Sequence, residues 1–266
     1  MKPGHSIRCL LLICLFPCLL SGCQPGESAD NPSGKTLRIP MPTNGPKSLD
    51  PVQGSTHYEN IAASQVYETL LQYKYLKRPF ELEPLLLAEM PTVSEEGLVY
   101  HFKLKQGVYF HDDACFPDGK GREVKASDVI YSWKRMADQT YNPKSWWLYE
   151  KTIVGFDEYR EEQIERVEGG HSFEYDKPVE GLEILGDYEF KVKLIEPVTS
   201  FIWKLAMFQT AVVPHEAVDT YGIRFARHTV GTGPFTLNEE DWHQPGNDLL
   251  QEPQLSCRHL SNRAHA

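Results

Sequence analysis

Leu98 to Lys105 reads LVYHFKLK, and its alternation is the most informative pattern in the chain. Leu98, Tyr100, Phe102 and Leu104 fall on one side of an extended backbone, with His101, Lys103 and Lys105 on the other. Tyr188 to Leu194, YEFKVKL, repeats the arrangement. Tyr188, Phe190, Val192 and Leu194 oppose Glu189, Lys191 and Lys193. A period of two, with one apolar and one charged face, predicts half-buried antiparallel strands.

Between these strands lies a helix of different period. Val129, Ile130, Trp133, Met136 and Ala137 form an apolar stripe, and Ser127 is the expected N-cap. Trp133 lies on that stripe and is expected in the core. Earlier, Thr56 and Glu59 have the spacing of a capping box. A helix is expected from there to about Tyr75, because Ala62, Val66, Leu70 and Tyr73 recur at helical spacing. Thr36 to Met41 is a short strand candidate, and Asn44 to Gly54 is turn-rich around Asp50-Pro51. Phe156 to Val167 is a charged amphipathic helix, Ser200 to Met207 a short helix, and Ala211 to Pro214 a short buried strand. Helices and strands mix without a regular strand–helix–strand rhythm, so the expected class is α+β, an irregular α/β.

Hydrophobic residues make up 41% and charged residues 24%, ordinary globular values that exclude wholesale disorder. Net charge is -10; Lys2 and Arg8 are the only charged side chains in residues 1–22, so without that segment it becomes -12. Such acidity repels phosphate backbones, and no nucleic-acid partner is expected.

The N-terminus reads as a targeting signal. Lys2 and Arg8 precede the apolar run Cys9 to Leu20. That run is shorter than the about 20 residues a bilayer span needs. It ends in Leu20-Ser21-Gly22-Cys23, which resembles a bacterial lipobox. Cleavage after Gly22 and lipidation of Cys23 follow from it, giving a membrane anchor of two or more acyl chains, each buried CH₂ contributing about 0.8 kcal/mol. Residues 1–22 are therefore read as a lipoprotein signal peptide. Residues 23–35, rich in Pro, Gly, Ser and Asp, are read as a flexible tether. Beyond Cys23 only Cys115 and Cys257 remain. An oxidising compartment permits a bridge between them, which spacing alone does not establish.

Enzyme motifs are missing from the sequence. There is no Gly-x-Ser-x-Gly elbow and no phosphate loop, and Asp219 stands where a zinc-protease motif starting at His215-Glu216 needs its second His. His111-Asp112-Asp113 is interrupted by Cys115-Phe116-Pro117 before a calcium loop could close, so it reads as a solvated loop. No catalytic residues, metal or cofactor are expected. Trp146 and Trp147 follow a proline and fall outside any helical stripe, which makes them candidates for stacking on a ligand in a cleft.

Several separated segments resemble the family 5 extracellular solute-binding proteins, the oligopeptide-, dipeptide- and nickel-binding group. They are Leu49-Asp50-Pro51, Gln65 to Leu70 (QVYETL), Pro84 to Glu89 (PLLLAE), Val99 to Val108 with Phe110-His111-Asp112, Val124 to Trp133 (VKASDVIYSW), and Gly231 to Phe235 (GTGPF). Order and spacing match over residues 36–238. The resemblance implies a type II periplasmic-binding-protein clamshell, with 36–238 as a partial solute-binding domain, the N-terminal part of the first lobe. Residues 239–266 are read as an unrelated polar tail. It further implies the substrate-binding component of an ABC-type peptide importer. Such a component captures a peptide or other small solute outside the cytoplasmic membrane and passes it to permease subunits. The chain would be exported, as a periplasmic or cell-surface lipoprotein. Ligand contacts carried over from the family fall in the turn after Asp50-Pro51, at Gln53, Gly54, Ser55 and Tyr58. The other reading, from a different class, is a non-transporting remnant or structural lipoprotein.

Overall fold

A computed structural model describes residues 46–237 and the backbone of Ser256–Cys257. The signal peptide, Cys23, the tether, the strand expected at Thr36 to Met41 and nearly all of the polar tail lie outside those residues.

The two alternating segments are neighbours in one sheet. Strands β3 (Thr92–Ser94), β4 (Val99–Lys103), β5 (Leu182–Gly186) and β6 (Glu189–Lys193) pair antiparallel in the order β3-β4-β6-β5. Phe102 sits directly opposite Phe190, and their rings stack with centroids 4.7 Å apart. The apolar sides face one core, since Tyr100, Phe102, Leu104, Phe190, Val192 and Leu194 are all buried. Such cross-strand aromatic pairs fix register as well as burying area.

Helix α2 (Ala126–Lys134) covers that face. Its stripe is buried as expected; Trp133 is fully buried, edge-on to Phe190 at 6.1 Å and tilted against Tyr149 at 5.1 Å. The start differs from expectation. The cap position is Lys125, whose N–H donates to the Asp128 carboxylate at 2.8 Å, and Ser127 lies inside the first turn. An acid at the third helical position thus does the work expected of the serine. Asp128 also takes both Nη atoms of Arg122, at 2.8 and 2.7 Å, and Arg122 reaches on to Glu216.

Helix α1 (His57–Val66) begins with the predicted capping box: Glu59 N–H donates to Thr56, and the Thr56 N–H donates back to Glu59. It stops at Val66, well short of Tyr75, and Leu71–Tyr73 is strand β1, paired with β2 (Leu82–Pro84). The cause is tertiary. Gly233 N–H donates to the Val66 carbonyl at 2.8 Å, and Cβ atoms at Gly231 or Gly233 would collide with the carbonyls of Val66 and Gln65. The chain beyond Tyr67 is extended and bonded to other segments, through Val212 N to Glu68 O and Leu71 N to Leu205 O. Helical periodicity loses to these partners.

Helix α3 (Phe156–Glu168) forms as expected, α4 (Phe201–Lys204) is one turn, and α5 is His215–Tyr221. Ala211 to Pro214 is buried and extended but joins no sheet. The Val212 and Val213 N–H groups go to Glu68 O and to the Ser132 hydroxyl instead, and that of Ala211 goes to Phe208 O. After the Gly231–Pro234 turn, β7 (Phe235–Thr236) pairs with β8 (Ser256–Cys257).

Candidate functional site

The turn after Asp50 is fixed from beneath by an ion pair. Asp50 Oδ1 accepts from Val52 N–H at 3.2 Å, and the Asp50 carbonyl accepts from Gln53 and Gly54 N–H, both at 3.0 Å. The Arg135 guanidinium closes on the same carboxylate with two bonds, 2.9 and 2.7 Å, and the two side chains are 0% and 1% exposed. Arg135 lies between the rings of Tyr141 at 5.0 Å and Phe225 at 5.3 Å. A bidentate buried pair of this kind costs much desolvation but fixes geometry tightly.

On that base the predicted residues divide into two groups. Gln53 is committed internally: its Oε1 accepts from Ser48 Oγ at 2.9 Å, and its Nε2 donates to the Tyr141 carbonyl at 2.9 Å. Gly54 is needed for space, because a Cβ there would run into the Phe208 ring. Ser55 is exposed, with its N–H held by Glu59 at 2.8 Å. Tyr58 is half-buried on the first turn of α1. Gln53 and Gly54 therefore shape the turn, while Ser55 and Tyr58 are the side chains it presents. Glu59 supports this edge as an anion. Burial pushes its pKa up, but bonds from Ser55, Thr56 and Lys47 outweigh that and hold it below the ordinary range.

A second loop joins the turn: Lys144 N–H donates to the Val52 carbonyl at 2.9 Å. Trp146 and Trp147 follow in a short 3-10 turn, Trp146–Leu148. Their settings differ. Trp146 is half-buried, edge-on to Phe156 at 5.1 Å, with the Arg160 guanidinium 4.9 Å from its ring. Trp147 is 55% exposed. Of the two, Trp147 offers a ring to solvent, whereas Trp146 is an internal wedge.

The His111–Asp113 loop is a clamp rather than a solvated loop. His111 is buried; its Nε2 donates to the Gly233 carbonyl at 2.8 Å and its N–H to the Gly231 carbonyl at 2.8 Å. Asp113 accepts from Tyr221 and His228, both at 2.7 Å, and from Cys115 N–H. Burial raises the Asp113 pKa, yet these donors bring it below its usual value. Cys115 is a free thiol whose pKa burial and Asp113 raise, which makes it a poor nucleophile. Among the described residues, no group of three His, Cys, Asp or Glu side chains is placed to hold a metal, and no helix is long and apolar enough to cross a membrane.

Sequence reading missed Arg135, the residue on which the turn rests. Its signal was present: an arginine beside the buried Met136 and Ala137 needs an acidic partner, and Asp50 sits in the adjoining motif.

Residues 81–250 match the family model described as bacterial extracellular solute-binding proteins, family 5 Middle. The glutathione-binding protein GsiB of Escherichia coli O1:K1 is 27% identical over 197 residues, 74% of this chain and 30% of that protein. Among solved structures, the ABC transporter-associated periplasmic binding protein DppA of Helicobacter pylori, in complex with the peptide STSA, is 26% identical with a TM-score of 0.56. That likeness covers 73% of this chain and 35% of that one. The substrate-binding domain of an oligopeptide ABC transporter from Bacillus anthracis is similar in fold, at 20% identity and TM-score 0.60, over 76% of this chain and 35% of that one. The chain thus has the mixed helix–strand fold of part of a type II periplasmic binding protein, and spans about 30% of the curated relative.

Proposed function

Because the chain belongs to the bacterial extracellular solute-binding proteins of family 5, we propose that it serves as the substrate-binding component of an ABC-type peptide importer. A family of solute-binding proteins is a family of transport proteins and not of enzymes. The observation that carries the reading is the pairing of that family match with a turn held rigidly by Asp50 and Arg135. An extended peptide is held largely through backbone hydrogen bonds, with side-chain pockets adding selectivity. Ser55 and Tyr58 are the side chains proposed to meet it from this turn, with Trp147, three residues after the Lys144 that bonds to Val52, as a stacking surface. A glutathione-binding relative and one solved with a tetrapeptide support short peptides as the solute class.

On this reading the chain works outside the cytoplasmic membrane, delivers solute to permease subunits, and is held by lipid on Cys23 within the lipobox Leu20 to Cys23. Calorimetry on the full chain tests the solute class, comparing a pool of di- to pentapeptides with free amino acids and with Ni²⁺. Heat from peptides alone is the expected result. Binding of amino acids or Ni²⁺ in preference to peptides, or no binding at millimolar peptide, would refute it.

A further inference from the structure

The β1–β2 hairpin carries a feature outside the residues proposed to meet solute. Its loop, Lys74 to Glu81, reads KYLKRPFE. Tyr75 is 88% exposed, Leu76 75% and Phe80 57%, and Tyr73 at the loop's base is 46% exposed. Among the described residues these are the most concentrated run of exposed large apolar side chains in sequence. Tyr73 packs edge-on to Phe80 at 5.7 Å. Contiguous apolar surface on a protruding loop marks a contact site, unlike single exposed residues scattered over a surface.

The charge around it is opposite in sign to the chain as a whole. Lys74, Lys77 and Arg78 stand in the loop against one acid, Glu81, while the chain carries -10. Lys74 and Lys77 share Glu81, at 2.8 and 3.4 Å. Arg78 lies over the Phe80 ring at 4.1 Å, its Nη1 bonded only to the neighbouring Lys77 carbonyl. Glu83, further along β2, is taken up by Gln72. Aromatic and aliphatic side chains beside surplus cations are the composition that seats in a headgroup layer: rings and methyls enter the acyl boundary, and ammonium and guanidinium groups meet lipid phosphates.

We propose that this hairpin tip is a docking surface for an anionic phospholipid bilayer. The three steps from Tyr73 to Leu76 span at most about 10 Å, about one Debye length at moderate salt. Contact through the tip brings the net-positive loop, Lys74 to Glu81, to the lipid phosphates first, and so favours one orientation of the chain on the membrane.

The test is co-sedimentation of the full chain, carrying Cys23→Ser so that no acyl chain contributes. The vesicles are phosphatidylcholine alone, or phosphatidylcholine mixed with phosphatidylglycerol. The N-terminal apolar segment is common to every variant, so differences report the hairpin. The proposal expects more binding to the anionic vesicles. Tyr75→Ser/Leu76→Ser/Phe80→Ser and Lys77→Glu/Arg78→Glu should each lower it by at least about threefold, and high salt should weaken the parent. All these positions are exposed, and unchanged melting confirms that the variants fold. Equal sedimentation of parent and variants, or equal binding of the parent to both vesicle types, overturns the proposal.

Discussion

Arg135, at the C-terminal end of α2, closes both terminal nitrogens on the carboxylate of Asp50, 85 residues earlier, with neither side chain open to water. That one contact ties the helix covering the sheet to the turn proposed to meet solute. Arg135→Met or Asp50→Leu alone leaves a buried charge without its partner and should cost about 3–5 kcal/mol. The double change should recover much of that loss. Urea denaturation of the three variants measures it, and strictly additive losses would contradict the pairing.

His111 holds Gly231 and Gly233, 120 or more residues away, and so fixes the turn against which α1 ends. His111→Phe keeps the ring volume but orphans the buried Gly233 carbonyl and Gly231 N–H that the imidazole serves, and an unmet buried group costs about 1–3 kcal/mol. Beyond the lower stability, the amide of Gly233, which donates to Val66, should exchange faster with solvent. Unchanged exchange at Gly233 would show that the clamp is not needed.

Acid should weaken the fold through three carboxylates. Glu59, Asp113 and Glu216 are half-buried or buried, which pushes each pKa up, but their hydrogen-bond and charge partners outweigh burial and each is held low. A carboxylate with a depressed folded pKa contributes stability above its unfolded pKa of about 4, lost as pH falls through the lower folded value. Melting temperature should therefore fall progressively below about pH 4, and Asp113→Asn should start lower and fall less. A melting temperature independent of pH in that range would contradict the assignment.

The sheet and α2 were legible because their patterns are local. Alternation at Leu98 to Lys105 and Tyr188 to Leu194 became two adjacent strands with Phe102 facing Phe190, and the Trp133 stripe became core. What failed depended on distant partners. The periodicity past Val66 is genuine in sequence, yet Gly231 and Gly233 take the space and the carbonyl a longer helix would use. Ala211 to Pro214 has the apolar composition of a buried strand, but its N–H groups are satisfied by Phe208, Glu68 and Ser132, so it joins no sheet. At the candidate site the turn itself was legible. Which of its residues are spent was not: Gln53 is occupied by Ser48 and by Tyr141, 88 residues on, and no local rule links those positions.

That solute is met at the turn above the Asp50–Arg135 pair is tested most directly by photo-crosslinking. Di- to pentapeptides bearing a diazirine side chain are irradiated with the full chain, and adducts are mapped by mass spectrometry with and without excess unlabelled peptide. The predicted result is competed adducts at residues 53–58, concentrated on Ser55 and Tyr58. Competed adducts confined to other segments, or none that unlabelled peptide removes, would contradict it.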